Sequence, residues 1–157
     1  MSSMKYRPAL LSAALGLVTA LTALPAAAQY RNADAAIKYR QSAMSLQGNH
    51  LARVFAMANG QVPFDAKIAA DNIETVAMLN RLQFGAFIDG SDKGTTRAKP
   101  EIWAEKDKFA AAIKKSEEDV AKLAAAGKSG NLDQIKTAVG AVGQSCKACH
   151  DAYQKPQ

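Results

Sequence analysis

The only two cysteines of the chain stand three residues apart, and a histidine follows the second at once: Cys146-Lys147-Ala148-Cys149-His150. On a helix, residues three and four apart share a face. Both sulfurs then point the same way, and the His150 imidazole lies one turn beyond Cys146. A fold that carries this run must leave room beside that face for a group that all three side chains grip.

The spacing is the C-x-x-C-H signature of covalent haem attachment. Each sulfur reaches one vinyl group of the same porphyrin, and His150 rises to the iron as proximal axial ligand. Zinc fits less well. A structural zinc site takes four protein ligands, and His50 is the only other histidine. A redox dithiol normally opens a helix after a strand in a βαβ pattern, and no such pattern is present. The sequence therefore implies one haem c per chain.

The N-terminus points to export. Lys5 and Arg7 form a basic start, residues 9–24 are uncharged, Pro25 ends the run, and Ala26-Ala27-Ala28 offers a cleavage site. The uncharged run is shorter than the ~20 residues of a membrane span. Residues 1–28 thus read as a cleaved signal peptide, with periplasmic delivery of residues 29–157. That segment carries a net charge of +4, against +6 for the whole chain. Its lysines are interleaved with acids and no basic block holds aromatics, so nucleic-acid binding is not indicated. No later stretch is apolar enough to anchor in a membrane.

The remaining segment reads as all-α, an antiparallel four-helix bundle in one domain. The first helix is predicted over about 35–58, with Ile37, Met44, Leu51, Phe55 and Ala58 in one stripe. The second covers about 65–82, capped by Asp65, with Ala69, Ile73, Val76 and Leu79 or Asn80 facing inward. A glycine-punctuated connection runs over 84–99. Pro100 then opens a third helix to about Ala126, with Ile102, Phe109, Ile113, Val120 and Leu123 inward. Asn131 and Gln134 form a capping box for a fourth helix ending near Tyr153.

Most small c-type cytochromes carry the haem motif near the N-terminus, whereas here it lies on the last helix. With the segments Lys38–Met44, Pro100–Trp103 and Ser145–Tyr153, this arrangement resembles the cytochrome c′ family. The resemblance implies a pentacoordinate haem and often a homodimer through the first two helices. It implies that Met44 is the side chain over the vacant iron face. It sets Arg40 and Gln41 near the haem propionates and Arg97 at the haem edge. It also marks a departure. A basic residue often stands four places after the haem histidine, and here that position is Gln154.

Read from the residues alone, Met44 fills core or covers the ring, and Arg40 meets a propionate or water. Phe84, Phe87 and Trp103 read as core or haem wall, and His50 as surface. The distal inventory is apolar. Peroxide cleavage needs an acid or base near the bound oxygen, so an enzyme is not indicated. Two functions remain. One is single-electron transfer with binding of NO or CO at an open iron. The other is a low-spin electron carrier with Met44 as sixth ligand. Neither names the redox partner.

Overall fold

The computed structural model describes residues 29–156, so the signal-peptide reading of residues 1–28 lies outside the described residues. Helix α1 runs over Ala33–Ala58, α2 over Ala66–Gln83, α3 over Glu101–Ala104, α4 over Lys106–Ser129 and α5 over Leu132–Tyr153. A single 3₁₀ turn, Phe84–Ala86, follows α2. The four long helices form the bundle. None is long and apolar enough to cross a membrane.

Local chemistry sets the helix ends. Asn32 caps α1 by accepting from the Ala35 N–H at 2.8 Å. Asp65 caps α2 through the Ile68 N–H, also at 2.8 Å. Each cap pairs an amide that has no partner within its helix. Gly130 ends α4 at φ +65°, a left-handed geometry that glycine adopts without penalty. Asn131 caps α5 through the Gln134 N–H at 3.0 Å. The expected box closes differently, because Gln134 Oε1 accepts from Ser129 Oγ rather than from the Asn131 backbone. Ser129 Oγ accepts that backbone N–H instead.

The third helix departs from expectation. The predicted continuous run from Pro100 breaks at Glu105, whose φ of −117° and ψ of 51° separate α3 from α4. The apolar stripe passes from Ile102 to Phe109 without a gap in period, so periodicity could not reveal the break. The break accompanies a tertiary contact. Trp103 reaches back to the preceding connection, and its indole N–H donates to the Ile88 carbonyl at 3.1 Å.

The aliphatic core fills one half of the bundle. Leu51, Val54, Ile73, Val76, Leu123, Val139 and Val142 are buried there. Phe55, expected in the core, is half-buried at its margin, and Val54 and Met57 take the inner positions. The other half, beside Cys146–His150, is hollow.

Two glycines mark close helix approaches. A Cβ on Gly127 would stand 3.0 Å from Ile73 Cδ1 and 3.2 Å from its Cγ2. A Cβ on Gly143 would stand 2.9 Å from Phe55 Cζ. Alanine gains about 1 kcal/mol of helix propensity at either site. Overpacking costs about 1–3 kcal/mol. Ile73 is fully buried and has nowhere to move, whereas the half-buried Phe55 ring can swing out. Gly127→Ala should therefore lose about 1 kcal/mol net, and Gly143→Ala should stay near zero. Urea unfolding of the two variants checks the order.

Candidate functional site: a cavity beside the Cys-Cys-His face

Arg40, one turn before Met44 on α1, organises the hollow end. It is 2% exposed. One terminal nitrogen donates to the Ala86 carbonyl at 3.0 Å and to Ser91 Oγ at 2.8 Å. The other donates to the Ser91 carbonyl at 2.7 Å and to Thr96 Oγ1 at 3.0 Å. The Phe87 ring lies over the guanidinium, 4.6 Å from Cζ to centroid. Burial pushes the Arg40 pKa down. Among the described residues it forms no ion pair, so its charge lacks a counter-ion. Only its Nε–H is left for a further acceptor. A water-exposed Arg40 is thus excluded. Its first task is to pin the 84–96 connection onto α1, which sequence reasoning did not foresee.

Arg97 and Lys99 anchor the other side. The Arg97 side chain donates twice to the Lys155 carbonyl, at 2.9 and 2.6 Å. Lys99 Nζ donates to the carbonyls of Asp151 and Ala152 at the end of α5. A cation there meets the negative end of the helix dipole. Backbone bonds from Lys99 to Tyr153 and from Lys155 to Arg97 join the strands of chain around Gln154.

Between these anchors lies a cavity of about 380 Å³. Its size falls within the range of cofactor pockets. From α5 come Ser145, Cys146, Cys149, His150 and Tyr153. From α1 come Arg40, Gln41, Met44, Gln47, Gly48 and Leu51. Phe84 and Phe87 enter from the connection and Phe109 from α4. Phe109 packs edge-on against both Phe87 and Tyr153, with centroids 5.0 and 5.1 Å apart. Trp103 stands behind this wall, 6.2 Å from Phe87, and does not line the cavity.

All seven predicted site residues, Arg40, Gln41, Met44, Arg97, Cys146, Cys149 and His150, border this one space. Gln41 is exposed and donates to the Thr95 carbonyl at 3.0 Å. Met44 is half-buried. His50 corrects its expected surface position: it is half-buried, and its Nδ1 lies 2.8 Å from Asn72 Oδ1. The Asn72 amide nitrogen already donates to the Ile68 carbonyl, so Oδ1 accepts and the His50 ring donates.

The electrostatics of the motif suit a covalent and coordinating role. Burial pushes the Cys146 thiol pKa up, and the Asp119 carboxylate adds to the shift. Burial raises that of Cys149 too, with a further push from Cys146. His150 shifts down, through its packed surroundings and then the Arg97 guanidinium, with Asp151 opposing. That favours the neutral imidazole, the form that binds metal. Gln154 brings no charge to this side, but Arg97 supplies one from the connection.

The wall is mainly apolar, as expected, with one polar stretch that the sequence reading did not contain. Gln47, Gln83 and Ser116 border the cavity and converge on Asn80 behind it.

The residues fit a haem. One wall offers two thiols and an imidazole, the rest is aromatic and aliphatic, and a buried guanidinium at the edge lacks an anion. A family profile described as cytochrome c′ matches residues 35–154. The chain belongs to the cytochrome c′ family.

Its relatives agree along their length. Cytochrome c′ from Rubrivivax gelatinosus is 50% identical over 128 residues, spanning 81% of this chain and 99% of the relative. The crystal structure of the cytochrome c′ from that organism superposes with a TM-score of 0.80, covering 81% and 100% of the two chains. Cytochrome c′ from Alcaligenes xylosoxidans, 39% identical, has been solved as variants with nitric oxide and with carbon monoxide bound. Both superpose with a TM-score of 0.77 and cover 99% of that chain, against 82% and 81% of this one. The family carries covalent haem c, and haem c is the cofactor of this chain.

Proposed function

We propose that Cys146 and Cys149 hold the haem through thioethers, that His150 ligates its iron, and that the opposite face is open to NO or CO beneath Met44. Haem supplies an iron that takes a diatomic ligand and exchanges one electron. The chain's residues orient it and control access. The observation that carries this reading is the cavity itself: Met44 enters it from α1, while the two thiols and the imidazole enter it from α5. Arg40, through its free Nε–H and uncompensated charge, would meet the propionates together with Gln41, with Arg97 at the haem edge.

The cavity wall supports binding rather than catalysis. Among the described residues its lining holds no carboxylate and, of histidines, His150 alone. A wall like this has no base to move a proton on a bound oxygen. Delivery to the periplasm by residues 1–28 and one-electron exchange with a redox protein complete the reading. A homodimer through α1 and α2 fits the exposed apolar side chains there, Tyr39 and Leu46 on α1 with Met78 and Leu82 on α2.

Visible spectra of the haem-loaded protein, oxidised, reduced and with CO, test the open iron. High-spin spectra with a large CO-induced change are expected. Met44→Ala should stay high-spin and bind CO faster, because the wall over the iron has been cut back. A low-spin protein that turns high-spin on Met44→Ala would instead make Met44 the sixth ligand and the chain an electron carrier.

A further inference from the structure

Gly127 and Gly143 stand where a side chain of a neighbouring helix presses in, but Gly48 does not. A Cβ built on Gly48 meets nothing within 4 Å. The residue lies in the middle of α1, where glycine weakens a helix relative to alanine. No neighbouring protein group accounts for it. Yet Gly48 borders the haem cavity, one turn after Met44 on the same side of the helix.

The α1 side chains around Met44 leave it one way to turn. Arg40, one turn earlier, is held by its four hydrogen bonds. Gln41 is tied to the Thr95 carbonyl. Gln47 is buried and donates to Asn80. Leu51 belongs to the packed aliphatic cluster. Helical side chains lean toward the N-terminus of their helix, so a side chain at position 48 would cover the turn beside Met44. Glycine leaves that turn bare. Met44 is only half-buried, and an unbranched thioether adapts readily to irregular space.

We propose that Gly48 is a specificity-determining notch: it is the space into which the Met44 side chain turns when a diatomic ligand occupies the iron face beneath it. This role rests on the open iron face proposed above. Gly48 acts through Met44 and touches neither the iron nor its ligand. With the notch present, the wall over the iron yields to a small ligand while Arg40, Gln41 and Gln47 keep their bonds. With the notch filled, Met44 stays in place and the ligand meets a fixed wall. Steric access is one of the levers by which a haem pocket chooses its ligands.

Gly48→Ala in the haem-loaded protein is the first test, because no protein atom obstructs the added methyl group. Its melting temperature should rise, since alanine is the better helix former. CO association after flash photolysis should slow by roughly threefold in Gly48→Ala and by roughly tenfold or more in Gly48→Leu, as crowding around Met44 grows. In a Met44→Ala background, Gly48→Ala should leave the rate as it is, because no long side chain is left to turn. Equal slowing in both backgrounds would mean that position 48 narrows an entry path, and would overturn the proposal. A lowered melting temperature with loss of haem would overturn it too, since Gly48 would then make room for the ring itself. A high-spin protein whose CO rate ignores Gly48→Ala would overturn this role alone. A low-spin unaltered protein that CO does not change would overturn the open iron face and the notch together.

Discussion

A chain carrying Cys146→Ala and Cys149→Ala should keep its helices and release all of its haem into acidified organic solvent. The unaltered chain should release none. The two sulfurs share one cavity wall, and their raised pKa values keep them as thiols near neutral pH. A thiol is the form that adds across a vinyl group, its hydrogen going to the neighbouring carbon. On the proposed attachment, loss of the sulfurs would leave the haem held only by His150 and by packing, and acid would remove both. The fold should survive, because the buried aliphatic cluster of the other half involves only Cys146, and only at its edge. Replacing one small half-buried thiol by a methyl costs about 1 kcal/mol. Circular dichroism checks the helices, and the mass of the chain checks the bond. His150→Ala separates the two roles of the motif: the pigment should stay covalent while the axial ligand is lost. Pigment retained by the double variant would refute the attachment site.

How much of this was legible beforehand depended on the range of each interaction. The haem motif is local, and its three side chains lie within five residues. The long helices follow from apolar spacing, and Asp65 reads as a cap from its place after Pro63. The break at Glu105 leaves no trace in the spacing, because Ile102 and Phe109 fit one stripe whether or not the helix is continuous. Arg40 shows the limit most clearly. Its position on the stripe was visible, but its acceptors stand 46 to 56 residues away in a connection without periodicity. The amide cluster left a partial signal. Gln47 lies three residues after Met44 on the same face, and Asn80 is one of the two alternatives, with Leu79, for the inward position on α2. That they meet Ser116 and Gln83 is a matter of helix packing, and so is the reach of Arg97 to the end of α5.

Arg40→Ala should be among the most destabilising substitutions in the chain, by about 3–5 kcal/mol. The buried carbonyls of Ala86 and Ser91 would lose their donors. Each such orphan costs about 1–3 kcal/mol. The contact with the Phe87 face adds about 0.5–2 kcal/mol. Against this stands the relief of desolvating a lone cation, which is why Arg40→Met is the sharper variant. Methionine fills much of the space and removes the charge, yet it cannot donate, so about 2–4 kcal/mol should still be lost. Domains of this size are stable by only about 5–15 kcal/mol, so either change is large. The sign against pH also follows. Burial lowers the Arg40 pKa, and a group shifted that way contributes least where it is charged. Arginine nonetheless stays protonated throughout the working range, so the loss should be flat between about pH 5 and 9. Urea unfolding across that range checks both the size and the flatness. A haem-loaded protein should lose more than the haem-free chain, because a propionate beside Arg40 Nε would be left without its cation. Equal losses in the two forms would mean that Arg40 only ties the connection to α1.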